Sequence, residues 1–260
     1  MRTISRLAGI LAGTALVAAL AVPVAADSHE AMLRVVHASP DAPNVDVWVD
    51  GETVLTDVPF TAVSDYLALP AGTYNVQVTA TGDTNPVIEA DLTLEAGVAY
   101  TVAAHGLLAD ITAAVFTDDL TVTDGQAKLR AIHLSPSAPA EVDIAVQGGD
   151  VVVPGLAYPE ASGYLALDAG DYPLEIRAAG DTAAALQFDA SLAANTVVTA
   201  FAMDAEDGVQ VITALDAEGA EMPDTAVPTP TAPTTLVAGA VLLAAAILLA
   251  SRRTAADRAR

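Results

Sequence analysis

From Leu33 onward, apolar and polar residues alternate in short runs with the period of a β-strand rather than a helix. In "LRVVHAS", Leu33, Val35 and His37 share one face, and Arg34 and Val36 the other. "VDVWVDG" points Val45, Val47 and Val49 inward, with Asp46 and Trp48 opposite. "TYNVQVTA" sets Tyr74, Val76 and Val78 against Asn75, Gln77 and Thr79, and "ADLTLEAG" and "VAYTVAAHG" continue the pattern. Turn residues such as Asp50-Gly51, Pro70-Ala71-Gly72, Gly82-Asp83 and Ala96-Gly97 break the runs. No stretch between the two ends carries a helical apolar stripe. About seven short strands in about 90 residues predict a β-sandwich.

The whole pattern is written twice. "LRVVHASPDAP" at Leu33 matches "LRAIHLSPSAP" at Leu129, and "VDVWV" at Val45 matches "VDIAV" at Val142. "DYLALPAGTYNVQVTATGDT" at Asp65 matches "GYLALDAGDYPLEIRAAGDT" at Gly163. The offset drifts from 96 to 98, as small loop insertions would produce. Two tandem sandwich repeats are expected at 31–120 and 127–216. They are joined by a short polar linker at 121–126 and stacked end to end, each around its own aliphatic core.

The ends differ from this middle. Arg2 and Arg6, the apolar run Leu7 to Val22, and Val24-Ala25-Ala26 form a secretory leader over 1–26, with cleavage expected between Ala26 and Asp27. A short extension, 27–30, precedes the first repeat. After the second, 217–235 is a Pro/Thr/Ala-rich stalk. The apolar run 236–250 is expected to be a transmembrane helix, and the basic tail 251–260 is expected to remain cytoplasmic. Met222-Pro223-Asp224-Thr225-Ala226 resembles an LPxTG-type sorting signal, with Met222 and Ala226 departing from the usual Leu and Gly. That resemblance implies transfer to the cell wall after Thr225; a retained membrane anchor is the alternative. Both place the repeats outside a bacterial cell.

The residues "RVVHASPDAPNVDVWVDG", "YLALPAGTYNVQV" and the "GDT" turn resemble the DUF4397 family of bacterial surface domains. The resemblance spans both repeats and implies tandem immunoglobulin-like β-sandwiches displayed at the cell surface. It brings no established active site. In the second copy Ser137 replaces the Asp of "SPDAP", and Ala145 stands where the first has Trp48.

The formal charge is −23. Six of the ten basic residues but only one of the 33 acidic ones lie in the leader and the anchor, so the exported part carries about −28. Phosphate backbones would be repelled, and no nucleic-acid partner is expected. With no cysteine, disulfides, thiol chemistry and Cys-based metal centres are excluded.

Candidate chemistry is sparse. The prolines of "SPDAP" predict a corner between two strands. His37 and His133, at its start, are expected to bond within it rather than to ligate metal. His105 has no counterpart, because the second copy reads "FAMD" there. Asp46 and Asp143 are expected on equivalent exposed strand positions in separate domains, where they cannot act as a carboxylate pair. Asp118 and Asp119, with Asp124, form the best acidic cluster for calcium, and Trp48 with Tyr66 the best sugar-stacking platform. No catalytic, cofactor or metal site is expected. The expected function is an anchored, non-enzymatic surface protein for adhesion, ligand binding or envelope structure, with cell-wall polymers or another surface protein as partner. A wall-glycan hydrolase and a calcium-stabilised adhesin are the alternatives.

Overall fold

The computed structural model describes residues 30–219, which are strands and turns apart from one 3-10 turn at Leu108–Asp110. The leader cleavage site, the sorting motif and the membrane segment lie outside the described residues. The first repeat contributes β1 (Glu30–Ala38), β2 (Val45–Val49), β3 (Glu52–Val58), β4 (Leu67–Pro70), β5 (Gly72–Ala80), β6 (Pro86–Leu94), β7 (Ala99–His105) and β8 (Thr112–Asp118). The second contributes β9 (Gln126–His133), β10 (Glu141–Val146), β11 (Val151–Ala157), β12 (Leu165–Asp168), β13 (Gly170–Ala178), β14 (Ala184–Leu192), β15 (Thr196–Ala205) and β16 (Gly208–Glu218). Four four-stranded sheets result, two per sandwich-like unit: β4-β1-β7-β8 with β3-β2-β5-β6, and β12-β9-β15-β16 with β11-β10-β13-β14. β1 pairs with β7, and β9 with β15, in parallel; the other pairings are antiparallel.

Each unit has an aliphatic interior built by the expected faces. In the first, Leu33 of β1 and Tyr100 of β7 meet Leu94 of β6. In the second, Leu129 and Ala200 meet Leu174 and Leu192, while Val142, Ile144 and Ile176 pack on Ala202.

The two units do not stack end to end. The sheets containing β1 and β9 pack against each other through a third core: Val36, Ala38 and Ala103 from the first repeat, and Ile132, Leu134, Phe201 and Met203 from the second. The reason lies in the other face of β1 and β9. Val36 and Ala38 on β1, and Ile132 on β9, are apolar and fully buried, so both strands are covered on both sides. The cores are therefore not confined to the repeats.

Two arginines sit inside this shared layer, 1% and 2% exposed. Arg34 donates to Asp216 Oδ1 of β16 at 2.6 Å, and Arg130 donates to Asp118 Oδ1 of β8 at 2.6 Å. Each guanidinium reaches the last strand of the other repeat. Each also donates to a threonine of its own repeat, Arg34 to Thr101 at 3.0 and 3.1 Å and Arg130 to Thr199 at 3.2 and 3.3 Å. Thr101 donates to Asp118 at 2.6 Å, and Thr199 donates to Asp216, closing a single ring of six side chains that passes through both repeats. Tyr66 stacks its ring 4.7 Å from Arg34 and donates to Asp118 at 2.7 Å; the ring of Tyr164 lies 4.8 Å from Arg130. Burial pushes the Asp216 carboxyl up, with Arg34 pulling the other way.

An ion pair broken on one side leaves an uncompensated buried charge. Arg34→Met is expected to lower unfolding stability by about 3–5 kcal/mol. Arg34→Met with Asp216→Leu, which leaves no lone charge, is expected to recover most of it. Urea unfolding midpoints of the two variants check this.

Candidate functional site

The outer side of β3-β2-β5-β6 carries an aromatic side chain among polar ones. Trp48 pairs in register with Thr53 of β3 and Gln77 of β5, and Gln77 pairs with Glu89 of β6. Directly opposed residues share a face, so Thr53, Trp48, Gln77 and Glu89 form one row across the sheet. Asn75 and Asp91 form the row beside it. Thr53, Glu89 and Asp91 are exposed and Trp48 is half-buried. The indole N–H donates to Thr79 Oγ1 at 3.1 Å, fixing the ring, and Gln77 donates to Glu89 at 3.0 Å.

The β2–β3 turn keeps this face clear. Asp50 and Gly51 have φ of 50° and 81°, the two left-handed residues of a tight type I′ hairpin. In the second repeat, Gln147 to Asp150 form a longer connection. Gly148 N–H donates to Glu175, Arg177 donates to Gly149 O at 3.3 Å, and Arg177 pairs with Glu175. Glu175 and Arg177 are buried, and Ala145 occupies the Trp48 position. The equivalent face is filled by its own ion pair.

The expected platform of Trp48 with Tyr66 does not assemble. Tyr66 is held in the layer between repeats by Arg34 and Asp118. The aromatic that faces outward is Trp48, accompanied by polar side chains from three other strands. The alternation marked Asn75 and Gln77 as outward; that Glu89 would stand beside them depends on the β5–β6 register, which periodicity does not supply.

Asp46 and Asp143 are not exposed; they are 8% and 7% accessible. Asp46 accepts from Asp57 N–H at 2.8 Å, Thr81 Oγ1 at 3.1 Å and Gly82 N–H at 3.2 Å. Asp143 accepts from Gly155 N–H at 2.7 Å and Gly180 N–H at 2.9 Å. Asp57 and Gly155 have φ of 55° and 57°, beside matching register shifts in both repeats. Each aspartate thus takes up the N–H groups freed where a strand bulges. These bonds hold both carboxyls below their ordinary range, led by the Asp57 N–H for Asp46 and the Gly180 N–H for Asp143.

His37 and His133 close the corner loops. Each Nε2 faces a carbonyl, Pro43 O at 3.2 Å and Pro139 O at 3.0 Å, and each Nδ1 accepts from a serine N–H, Ser39 or Ser135, at 3.4 Å. That arrangement requires a neutral ring with its proton on Nε2. His105 Nδ1 lies 2.8 Å from Tyr158 Oη of the other repeat. Burial lowers all three histidine pKa values, with the proline carbonyls opposing it at His37 and His133.

Of the acidic cluster at the joint, Asp118 and Asp119 are already paired with cations. Lys128 donates to Asp119 at 2.8 Å, Asp118 is taken by Arg130, and Asp119 is held down to about 2 by bonds from Lys128 and Thr121. Among the described residues no group of three or more His, Cys, Asp or Glu side chains converges to hold a metal ion.

The DUF4397 family, described as a domain of unknown function, matches residues 31–145 and 140–227, and the chain belongs to it. Among curated proteins none matches. Of the solved structures, the Bacillus anthracis TIE protein matches at 16% identity and a TM-score of 0.23, over 67% of this chain. The chain spans about a third, 34%, of that protein's length. The family 26 carbohydrate-binding module CBMbc of Eubacterium rectale Amy13K, solved with maltoheptaose, matches at 8% identity and a TM-score of 0.25, over 70% of this chain and 96% of its own. At these scores neither likeness bears on fold or ligand. Among the described residues no helix is long and apolar enough to cross a membrane.

A histidine whose pKa is lowered by folding takes up its proton more readily when unfolded, so its contribution is complete above about pH 6.5 and lost as pH falls through the folded value. Asp46, Asp143 and Asp119, also lowered, add their loss further down, below about pH 4. Melting temperature is expected to fall between pH 7 and 5, before the lowered carboxyls of Asp46, Asp143 and Asp119 titrate. In the His37→Gln/His133→Gln double variant that first limb should become shallower, with His105 keeping its share and the acid limb in place.

Proposed function

We propose that the chain is an exported, C-terminally anchored, non-enzymatic binding protein, and that the outer face of β3-β2-β5-β6 takes an uncharged glycan. The observation that carries this reading is the placement of Trp48, the single tryptophan of the chain, on that outer face, where a tight hairpin leaves it clear. An indole face stacks on the apolar side of a sugar ring, while Gln77, Asn75, Glu89 and Asp91 offer donors and acceptors to its hydroxyls.

Charge narrows the class. The described residues contain four cations, Arg34, Lys128, Arg130 and Arg177, and every one is paired with a carboxylate. The exposed surface therefore offers carboxylates and no free cation. An anionic wall polymer would meet repulsion, whereas a neutral polysaccharide would not. The leader-like N-terminus and the apolar, basic C-terminus support display outside the cell.

The test is binding of the full chain to insoluble neutral wall polysaccharide, with soluble sugar release measured alongside. Saturable binding without release is expected. Trp48→Ala should weaken it by about tenfold to a hundredfold, the usual loss for an aromatic anchor. Binding unchanged by Trp48→Ala would sink the site, and release of sugar would favour the hydrolase.

A further inference from the structure

The two repeats differ inside as well as outside. Ala90 of β6 and Phe188 of β14 are equivalent: Ala90 pairs with Val76 and Phe188 with Leu174 at matching positions of their sheets. Phe188 packs into the second repeat's interior, against the cores on both sides of it. On that side only about 20 Å³ of space remains. A separate apolar space of about 190 Å³ lies at the other edge of the repeat, by Val152 and Leu165.

The first repeat has no ring at this place. Ala90 is exposed, and Ala113 of β8 stands where the second repeat has Val211 of β16. Between the sheets lies an apolar cavity of about 130 Å³, bounded by residues including Val47, Val78, Ala90, Ala113 and Val115. Val115 of β8 is 50% exposed, so the cavity reaches solvent between β6 and β8.

We propose that this cavity is a binding site for a small uncharged aromatic molecule, entering between β6 and β8. Three observations converge. Its volume is close to that of an engineered aliphatic cavity of about 150 Å³ that stays dry and binds benzene. The fold itself accepts a phenyl ring at this position, because Phe188 places one there in the second repeat. Its walls are aliphatic apart from Asp91, which lines it from β6, and with Glu89 exposed next along that strand an anionic ligand is disfavoured. The site is distinct from the Trp48 face, which lies on the other side of the same sheet.

Toluene titrated into the full chain with methyl-labelled Val and Leu is the direct test, with benzoate as the charged control. Toluene is expected to shift the methyl signals of Val47, Val78 and Val115, saturably, with benzoate at least about tenfold weaker. Ala90→Phe, which supplies the second repeat's ring, should abolish those shifts. Ala113→Val, the milder change, should weaken them should the larger side chain disturb folding. No saturable shift in the native chain, or shifts that persist in both variants, would overturn the proposal. Trp48→Ala should leave them unchanged, so the glycan reading and this one fail separately.

Discussion

The architecture depends on burying two guanidinium groups between two sheets. The short bond of each arginine goes to the other repeat, Arg34 to Asp216 and Arg130 to Asp118, while Asp118 of its own repeat stands 3.9 Å from Arg34. A repeat standing alone would lose the bond its arginine makes across the layer and would expose the apolar residues around it, Val36 and Ala38 in the first and Ile132 and Phe201 in the second, to water. The desolvation cost of the guanidinium groups arises when the two repeats close on each other, and it is offset only where each arginine meets its carboxylate. The duplication is therefore locked in register as well as covered by apolar contact. Val36, Ile132 and Phe201 supply burial, while the reciprocal pairs select which strands meet.

Much of this fold was legible in the sequence. Period-two alternation placed Val45, Val47 and Val49 inside, and the internal match established the tandem repeat. The resemblance carried by "RVVHASPDAP" holds as family membership. What periodicity could not supply was the partner of the second face. In "LRVVHAS" the residues Arg34 and Val36 mix charge with apolarity, so that face reads as neither core nor surface. Its burial becomes clear only when Asp216, far along the chain, is found beside Arg34. Asp46 and Asp143 misled for a related reason: a carboxylate at an outward strand position reads as solvated. Here it is enclosed by a bulge and a turn whose N–H groups need an acceptor.

The scarcity of cations ties the junction to the surface. Arg34 and Arg130 are spent in the layer between repeats, Lys128 pins the linker beside it, and Arg177 neutralises Glu175 on the second repeat's outer face. Among the described residues, internal pairing thus leaves no cation without a carboxylate partner. The resulting field keeps the exposed faces from adhering to one another or to polyanions. What the Trp48 row presents under that field is an aromatic face and hydrogen-bonding groups.

The repeats have diverged in one direction. On the outer face, the second copy replaces Trp48 with Ala145 and fills the space with the Glu175–Arg177 pair. In the interior it replaces Ala90 with Phe188. At the corner loop the carboxylate has changed sides. Asp41 reaches from the first repeat's loop to Leu108 N–H at 2.7 Å, whereas Asp204 at the end of β15 reaches back to Ser135 and Ser137. The last exchange preserves a crosslink by a different route, so it follows from stability. The first two do not, because each leaves the first repeat with exposed aromatic or unfilled apolar surface that the second shows how to close. A fold that has a closed solution and keeps an open copy beside it retains, in the first repeat alone, the outward indole and the unfilled interior on which both proposals rest.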